Sequence, residues 1–141
     1  MKKQIMLLGA ATLLLASCSG DDDNGSSSID QSLLQRKWYY VSYEVAGQTF
    51  PYDDHETCGK DYIELKTGGV VRDVDVVDCE EVVDQYTYTV SGNVITLTAA
   101  GVSRTGKVLS LNAQTMQVEA SYDFDGDGDN EVVKETFTST P

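Results

Sequence analysis

The 141-residue sequence is poor in the side chains that most often carry catalysis or hold transition metals. It has one histidine and three cysteines, and no Cys-x-x-Cys, so a zinc site has little to be built from. No glycine-rich phosphate loop follows a strand and opens a helix, and no nucleophile motif accompanies His55. Asp53-Asp54-His55-Glu56 could be read as a hydrolytic or metal cluster, but it follows Pro51 in a polar loop, where solvated side chains are the rule. A non-enzymatic protein is the expectation. Positive charge is scarce as well. Ten Lys and Arg stand against 23 Asp and Glu, a net charge of −13. A chain this acidic repels nucleic acid and anionic headgroups, and nucleic acid is not an expected partner. Long apolar runs are missing: the longest, near the N-terminus, falls short of the about 20 residues a membrane-spanning helix needs. No long segment has helical periodicity.

What is present begins with an export signal. Met1-Lys2-Lys3 is followed by a short apolar run from Ile5 to Leu15 and then by small residues, the pattern of a secretory signal peptide over 1–17. Leu15-Ala16-Ser17-Cys18 resembles the bacterial lipobox. The resemblance implies cleavage before Cys18 and covalent lipid on that cysteine, with diacylglycerol and an amide-linked acyl chain such as palmitate. Several chains make a stable membrane anchor where one is marginal. Cleavage removes both lysines and takes the net charge from −13 to −15. Residues 18–30 then form an acidic, Ser-rich tether around Asp21-Asp22-Asp23. An acidic run directly after the lipidated cysteine resembles the export signal of Bacteroidetes surface lipoproteins. It implies an outer-membrane lipoprotein, surface-exposed in preference to periplasm-facing, and otherwise serves as a plain spacer.

The remainder, 31–141, reads as one all-β domain. Ile29 to Leu34 suits a short helical turn with Asp30 as N-cap. Beyond it, Tyr-, Val- and Thr-rich segments alternate with turn residues, the signature of short antiparallel strands. Around Gly92-Asn93, opposed residues have a constant index sum, so Val90 faces Ile95 and Tyr88 faces Leu97, with Thr89 and Thr87 facing Thr96 and Thr98 on the other side. Around Gly68-Gly69 the same arithmetic sets Ile63 against Val74 and Leu65 against Arg72. Arg72 is then an inward-facing oddity, and a rim position or a bulge turning it outward is the preferred reading. A third hairpin turns through Asn112 to Thr115, with Leu111 opposite Met116 and Leu109 opposite Val118. Met116, Val118, Ala120, Tyr122 and Phe124 continue the alternation, and the return strand holds Val133 and Phe137. The count comes to about eight strands, and closure into an up-and-down barrel would remove exposed edges.

With Cys18 assigned to lipid, Cys58 and Cys79 remain in an oxidising compartment and are expected to pair. A straight extension of the Gly68-Gly69 register places them opposite one another, where a bond would clamp the open end of that hairpin.

The order Leu34-x-x-x-Trp38, Cys58-x-x-Asp61-x-Ile63-x-Leu65-x-x-Gly68, Cys79, Tyr88-x-Val90-x-Gly92-Asn93-x-Ile95-x-Leu97 and a late hairpin resembles the lipocalin-like domain of small Bacteroidetes lipoproteins. The resemblance implies a small antiparallel barrel with the first-strand tryptophan closing one end. The lipocalin Gly-x-Trp element would place Gly at position 36, and this chain has Arg36.

One constellation carries chemistry of its own. Asp123, Asp125, Asp127, Asp129 and Glu131 alternate with Phe, Gly and Asn in a loop before the last strand. Hard Ca²⁺ takes several oxygen ligands, and glycines let a tight loop turn its carboxylates inward. The run matches the start of an EF-hand loop but has Lys134 where that loop needs its bidentate Glu. It resembles the Asp-rich Ca²⁺ loops found on β-hairpins of secreted proteins. A structural Ca²⁺ or a solvated acidic turn are the two readings.

Two functions follow. In the first, a monomeric lipid-anchored barrel binds a small apolar or amphipathic ligand, lined by Tyr86, Tyr88, Leu97, Leu109 and Val118. In the second, a filled, calcium-stabilised scaffold contacts a glycan, protein or envelope component through its surface. A continuous apolar cavity above about 300 Å³ favours the first. An exposed aromatic patch around Tyr39, Tyr43 or Tyr62 favours the second.

Overall fold

A computed structural model describes residues 28–141. The signal segment, Cys18 and the Asp21–Asp23 run of the tether lie outside them. One helical turn, α1 (Gln31–Leu34), precedes nine strands: β1 (Lys37–Val45), β2 (Gln48–Pro51), β3 (Tyr62–Lys66), β4 (Val70–Val77), β5 (Glu80–Ser91), β6 (Val94–Ala99), β7 (Val102–Leu111), β8 (Thr115–Tyr122) and β9 (Glu131–Thr138). From β3 to β9 each strand pairs antiparallel with the next, and β9 returns to pair with β1. β1 shares its other edge: Lys37–Tyr39 pair with β3, and Ser42–Val45 pair with β2. Eight strands therefore close an up-and-down barrel, with β2 as a short flange. Closure leaves the barrel strands no long free edge.

Local chemistry explains the elements. Asp30 caps α1, its side chain accepting from the Ser32 N–H at 2.9 Å. The β5–β6 register is the expected one, with Val90 on Ile95, Tyr88 on Leu97 and Thr89 on Thr96. The β3–β4 register differs by one residue. Tyr62 pairs with Val74, Glu64 with Arg72, and Leu65 with Val71. The turn takes Thr67 as well as Gly68 and Gly69, and both glycines have positive φ. A slip of one residue exchanges the faces of a strand. Arg72 is thus outward by plain alternation, and its Nη1 donates to Glu64 Oε2 at 3.0 Å. Asp73 becomes the inward residue instead.

Two β-bulges change parity elsewhere. In β1 the register shifts between Tyr40 and Ser42, leaving Val41 as the extra residue. Trp38 and Tyr40 face inward before it; Tyr43 and Val45 do so after it. In β7 the shift falls between Val108 and Ser110. Leu111 still opposes Met116, but Val118 opposes Val108, and Leu109 is thrown out to 39% exposure.

One end of the barrel is filled. Trp38 is fully buried, its Nε1 donating to the Leu34 carbonyl at 2.9 Å, and Leu34, Met116, Val71 and Phe137 are buried in the same core. Arg36, at the position expected to be glycine, lies with its guanidinium carbon 5.7 Å from the Trp38 ring centre and donates to the Ala113 carbonyl at 2.8 Å. The α1 turn and the β3–β4, β5–β6 and β7–β8 turns lie at this end. Strand alternation puts the β4–β5, β6–β7 and β8–β9 connections at the other.

Cys58 and Cys79 are bonded, with Cα atoms 5.7 Å apart. The pairing is the expected one, but not as the clamp of a straight hairpin. The β3–β4 ladder stops at Tyr62, and Cys58 sits in the 52–61 loop. Cys79 occupies the two-residue β4–β5 turn, where Asp78 and Cys79 both have positive φ. The bond therefore ties that loop to the tip of the β4–β5 hairpin.

Candidate functional site

The filled end forms the floor of a cavity of about 570 Å³. Much of its wall is apolar: Ile63, Leu65 and Val71 from β3 and β4, Ile95 and Leu97 from β6, and Met116, Val118 and Ala120 from β8. These are the inward positions of strands whose alternation the turns and bulges fix. Gly106 of β7 also lines it, and a Cβ there would come within 2.7 Å of Val118 Cγ1. The missing side chain makes room.

The polar lining is largely tyrosine, and two of its three charged residues are acidic. Asp73 and Glu135 both reach the cavity, together with Tyr40, Tyr43, Tyr86 and Tyr122. Tyr40 donates to Asp73 Oδ1 at 3.1 Å and Tyr122 donates to Glu135 Oε1 at 2.8 Å. Burial raises the Asp73 pKa to about 6, against the opposing effect of the Tyr40 hydroxyl. Burial also raises that of Glu135, and the Tyr122 hydroxyl opposes it. The same burial pushes the phenols of Tyr40, Tyr43 and Tyr122 well above their ordinary value, so they are neutral donors. Arg104 is the one basic residue in the lining, and it is exposed.

Of the five residues expected to line a ligand site, Tyr86, Leu97 and Val118 line this cavity. Tyr88 is buried in the core, its hydroxyl donating to the Lys66 carbonyl at 3.0 Å, and is not part of the lining. Leu109 lies outside the barrel because of its bulge. Asp73 was hidden by the β3–β4 register. Glu135 was legible, since it stands midway between the inward Val133 and Phe137.

The 52–61 loop flanks the site. Tyr52 stacks on Tyr40 with ring centres 4.9 Å apart, and its hydroxyl donates to Asp61. Asp61 is buried and also accepts from the Val76 N–H at 2.7 Å. His55 Nδ1 accepts from the Asp61 N–H at 3.1 Å, so Nε2 carries the proton and donates to the Tyr40 carbonyl at 2.9 Å. Glu56 accepts from the N–H groups of Asp78 and Cys79 and holds the β4–β5 turn. The Asp53–Glu56 cluster thus spends His55 and Glu56 on holding backbone.

The acidic loop gathers three of its five expected metal ligands. Carboxylate oxygens of Asp123, Asp125 and Glu131 lie within 4.8 Å of one another. Asp123 accepts from the Gly126 and Gly128 N–H groups at 2.7 and 3.1 Å, and both glycines have positive φ. Asp127 accepts from the Asp129 N–H at 2.8 Å, and neither belongs to the triplet. Three converging carboxylates suit a hard cation such as Ca²⁺. The loop connects to the cavity through Phe124, whose ring lies 5.6 Å from Tyr43 and 6.4 Å from Tyr122. Of the aromatic residues that could have formed a surface patch, Tyr62 is buried and Tyr43 lines the cavity.

A family model described as "Lipocalin-like domain" matches residues 34–118. A crystal structure of an uncharacterized protein from Bacteroides eggerthii is similar at 14% identity and a TM-score of 0.49, over 74% of this chain and 97% of that one. No curated protein matches. The family match spans more than half of the sequence, and the chain belongs to the lipocalin-like domain family.

Proposed function

We propose that this lipocalin-like barrel is an envelope-anchored binding module. It takes a small apolar or amphipathic molecule into the barrel and does no chemistry on it. The observation that carries the reading is the cavity of about 570 Å³ with its apolar walls. That volume falls within the range of about 300–1,000 Å³ typical of small-molecule sites. Cys18, lipidated, would hold the domain at the outer membrane, and the Asp21–Asp23 tether would present it on the cell surface. A monomer suffices, since the cavity is built from one chain.

Two experiments test this. Mass spectrometry of lipids and small molecules co-purifying with the native protein should find one enriched species. The Ala120→Trp variant should fill the cavity from its wall and abolish binding of an apolar fluorescent probe. A variant that folds and binds the probe as the wild type does would sink the reading. For the anchor, protease added to intact cells should degrade the protein if it faces outward and spare it if it faces the periplasm.

The Asp123–Asp125–Glu131 triplet supports a second element of function. Ca²⁺ bound there would be structural, offsetting the mutual repulsion of the carboxylates and fixing the β8–β9 connection beside Phe124. Its test is the melting midpoint with calcium and with a chelator. A rise with calcium is expected; an unchanged midpoint, with no calcium retained in native mass spectrometry, removes the metal.

A further inference from the structure

Resting on the reading of the barrel as a small-molecule binding module, we propose that its ligand carries a cationic end, an amine or amine-like head group, seated against Asp73 and Glu135. The apolar body would lie along Leu97, Val118 and Ala120, which line the same cavity. The argument starts from the imbalance of the lining. Two carboxylates reach the cavity, and each accepts one tyrosine hydroxyl. A carboxylate offers about four lone-pair sites, so both keep acceptor capacity that the chain leaves open. Half-buried carboxylates facing a cavity are completed by water, by further donors or by a cation, and a bound cation replaces the water. Here the only basic lining residue is Arg104, which is exposed and makes no ion pair among the described residues.

The approach carries the same sign. On β4 and β5, Val71 opposes Tyr86, and both line the cavity. The next pair on that face is Asp73 with Asp84, followed by Asp75 with Val82. Asp75 feels Asp61, Asp84 and Asp54. A cleft lined by one sign of charge concentrates the opposite ion. Tyr40, Tyr43, Tyr86 and Tyr122 add aromatic faces to the lining, which favour a cation over a neutral head.

The test uses three probes that share one chain and differ only in the head group: decylamine, decanol and decanoate. Their binding to the purified full chain is measured by calorimetry at neutral pH and fixed salt. Decylamine is expected to bind about tenfold or more tighter than decanol, and decanoate weakest, the scale of a charge-assisted hydrogen bond. The double variant Asp73→Asn/Glu135→Gln should bring amine and alcohol to within about twofold, chiefly by weakening the amine. The wild-type ranking needs no variant, so the inference stands or falls even if the double variant does not fold. Equal or tighter binding of decanol overturns the cationic head and leaves the binding module intact. Preference for decanoate, lost in Arg104→Gln, also overturns it and moves the polar end to the arginine. An amine preference that survives in the folded double variant overturns the role of the two carboxylates. No binding of any of the three overturns this inference together with the reading it rests on.

Discussion

Asp73 and Glu135 make the protein's stability depend on pH in a direction opposite to that of a salt-bridged carboxylate. Burial raises the Asp73 pKa from an ordinary 3.8 to about 6. The folded state therefore holds its proton more tightly than the unfolded chain does. The contribution is fully present below about pH 4 and is lost as pH rises through about 6. At about 1.4 kcal/mol per unit, the loss is on the order of 3 kcal/mol for Asp73, with Glu135 acting in the same sense. Asp73→Asn should match the wild type near pH 4 and exceed it in denaturant midpoint at pH 7.5. A constant difference across that range would contradict the assignment. Gly69 makes the converse point. Its φ is +76°, a Cβ would lie 2.9 Å from the Tyr88 carbonyl oxygen, and its own carbonyl accepts from the Tyr88 N–H at 2.7 Å. Gly69→Ala is expected to lose about 1–3 kcal/mol in chemical denaturation.

Single elements carry the next set of consequences. The 52–61 loop has little regular structure, and it is held by His55, Glu56, Asp61 and the Cys58–Cys79 bond. The bond spans a sequence separation of 21, for which loop-closure entropy gives about 3 kcal/mol. The Cys58→Ser/Cys79→Ser variant should lose about that much in denaturant unfolding, and hydrogen exchange should rise first in the loop and the β4–β5 tip. Uniform loosening of the whole barrel would mean that the bond does not act locally. The two bulges show where periodicity stops being a guide. Val41 and Leu109 are apolar and sit in alternating runs, yet both are exposed, because each is the extra residue of a bulge. Alternation before each bulge is correct, and alternation after it has the opposite parity. No residue in Tyr40–Ser42 or Val108–Ser110 marks the shift, since the partner strand decides it.

At the scale of the whole molecule the barrel is closed at one end and open at the other. The Trp38 end supplies rigidity, with Leu34, Met116 and Phe137 buried on it. The other end carries the Asp-rich loop, and Asp73 and Glu135 line the cavity between the two ends. The excess of 23 acidic over 10 basic residues is thus partly local to the proposed entrance. Added salt should weaken decylamine binding more than decanol binding, since screening acts on the charged head alone. Equal salt dependence for the two probes would show that the field of the chain plays no part in recognition.

Much of this was legible in the order of residues. The β5–β6 pairing follows from alternation on both sides of Gly92-Asn93. The Asp30 cap and the Cys58–Cys79 pairing follow from residue type and spacing, while the Trp38 plug was implied by the family resemblance. These are local properties, set by turn chemistry and side-chain period, and a chain carries them without its partners. The tertiary structure decided the rest. It chose a three-residue turn at Thr67–Gly69, which sent Arg72 outward and Asp73 inward. It placed the bulges, removed Leu109 from the lining, and left space above Trp38 rather than filling it. Each of these depends on how eight strands close into one ring, where a shift of a single residue on one strand is fixed only by its neighbours. The cavity and its carboxylates are products of that closure.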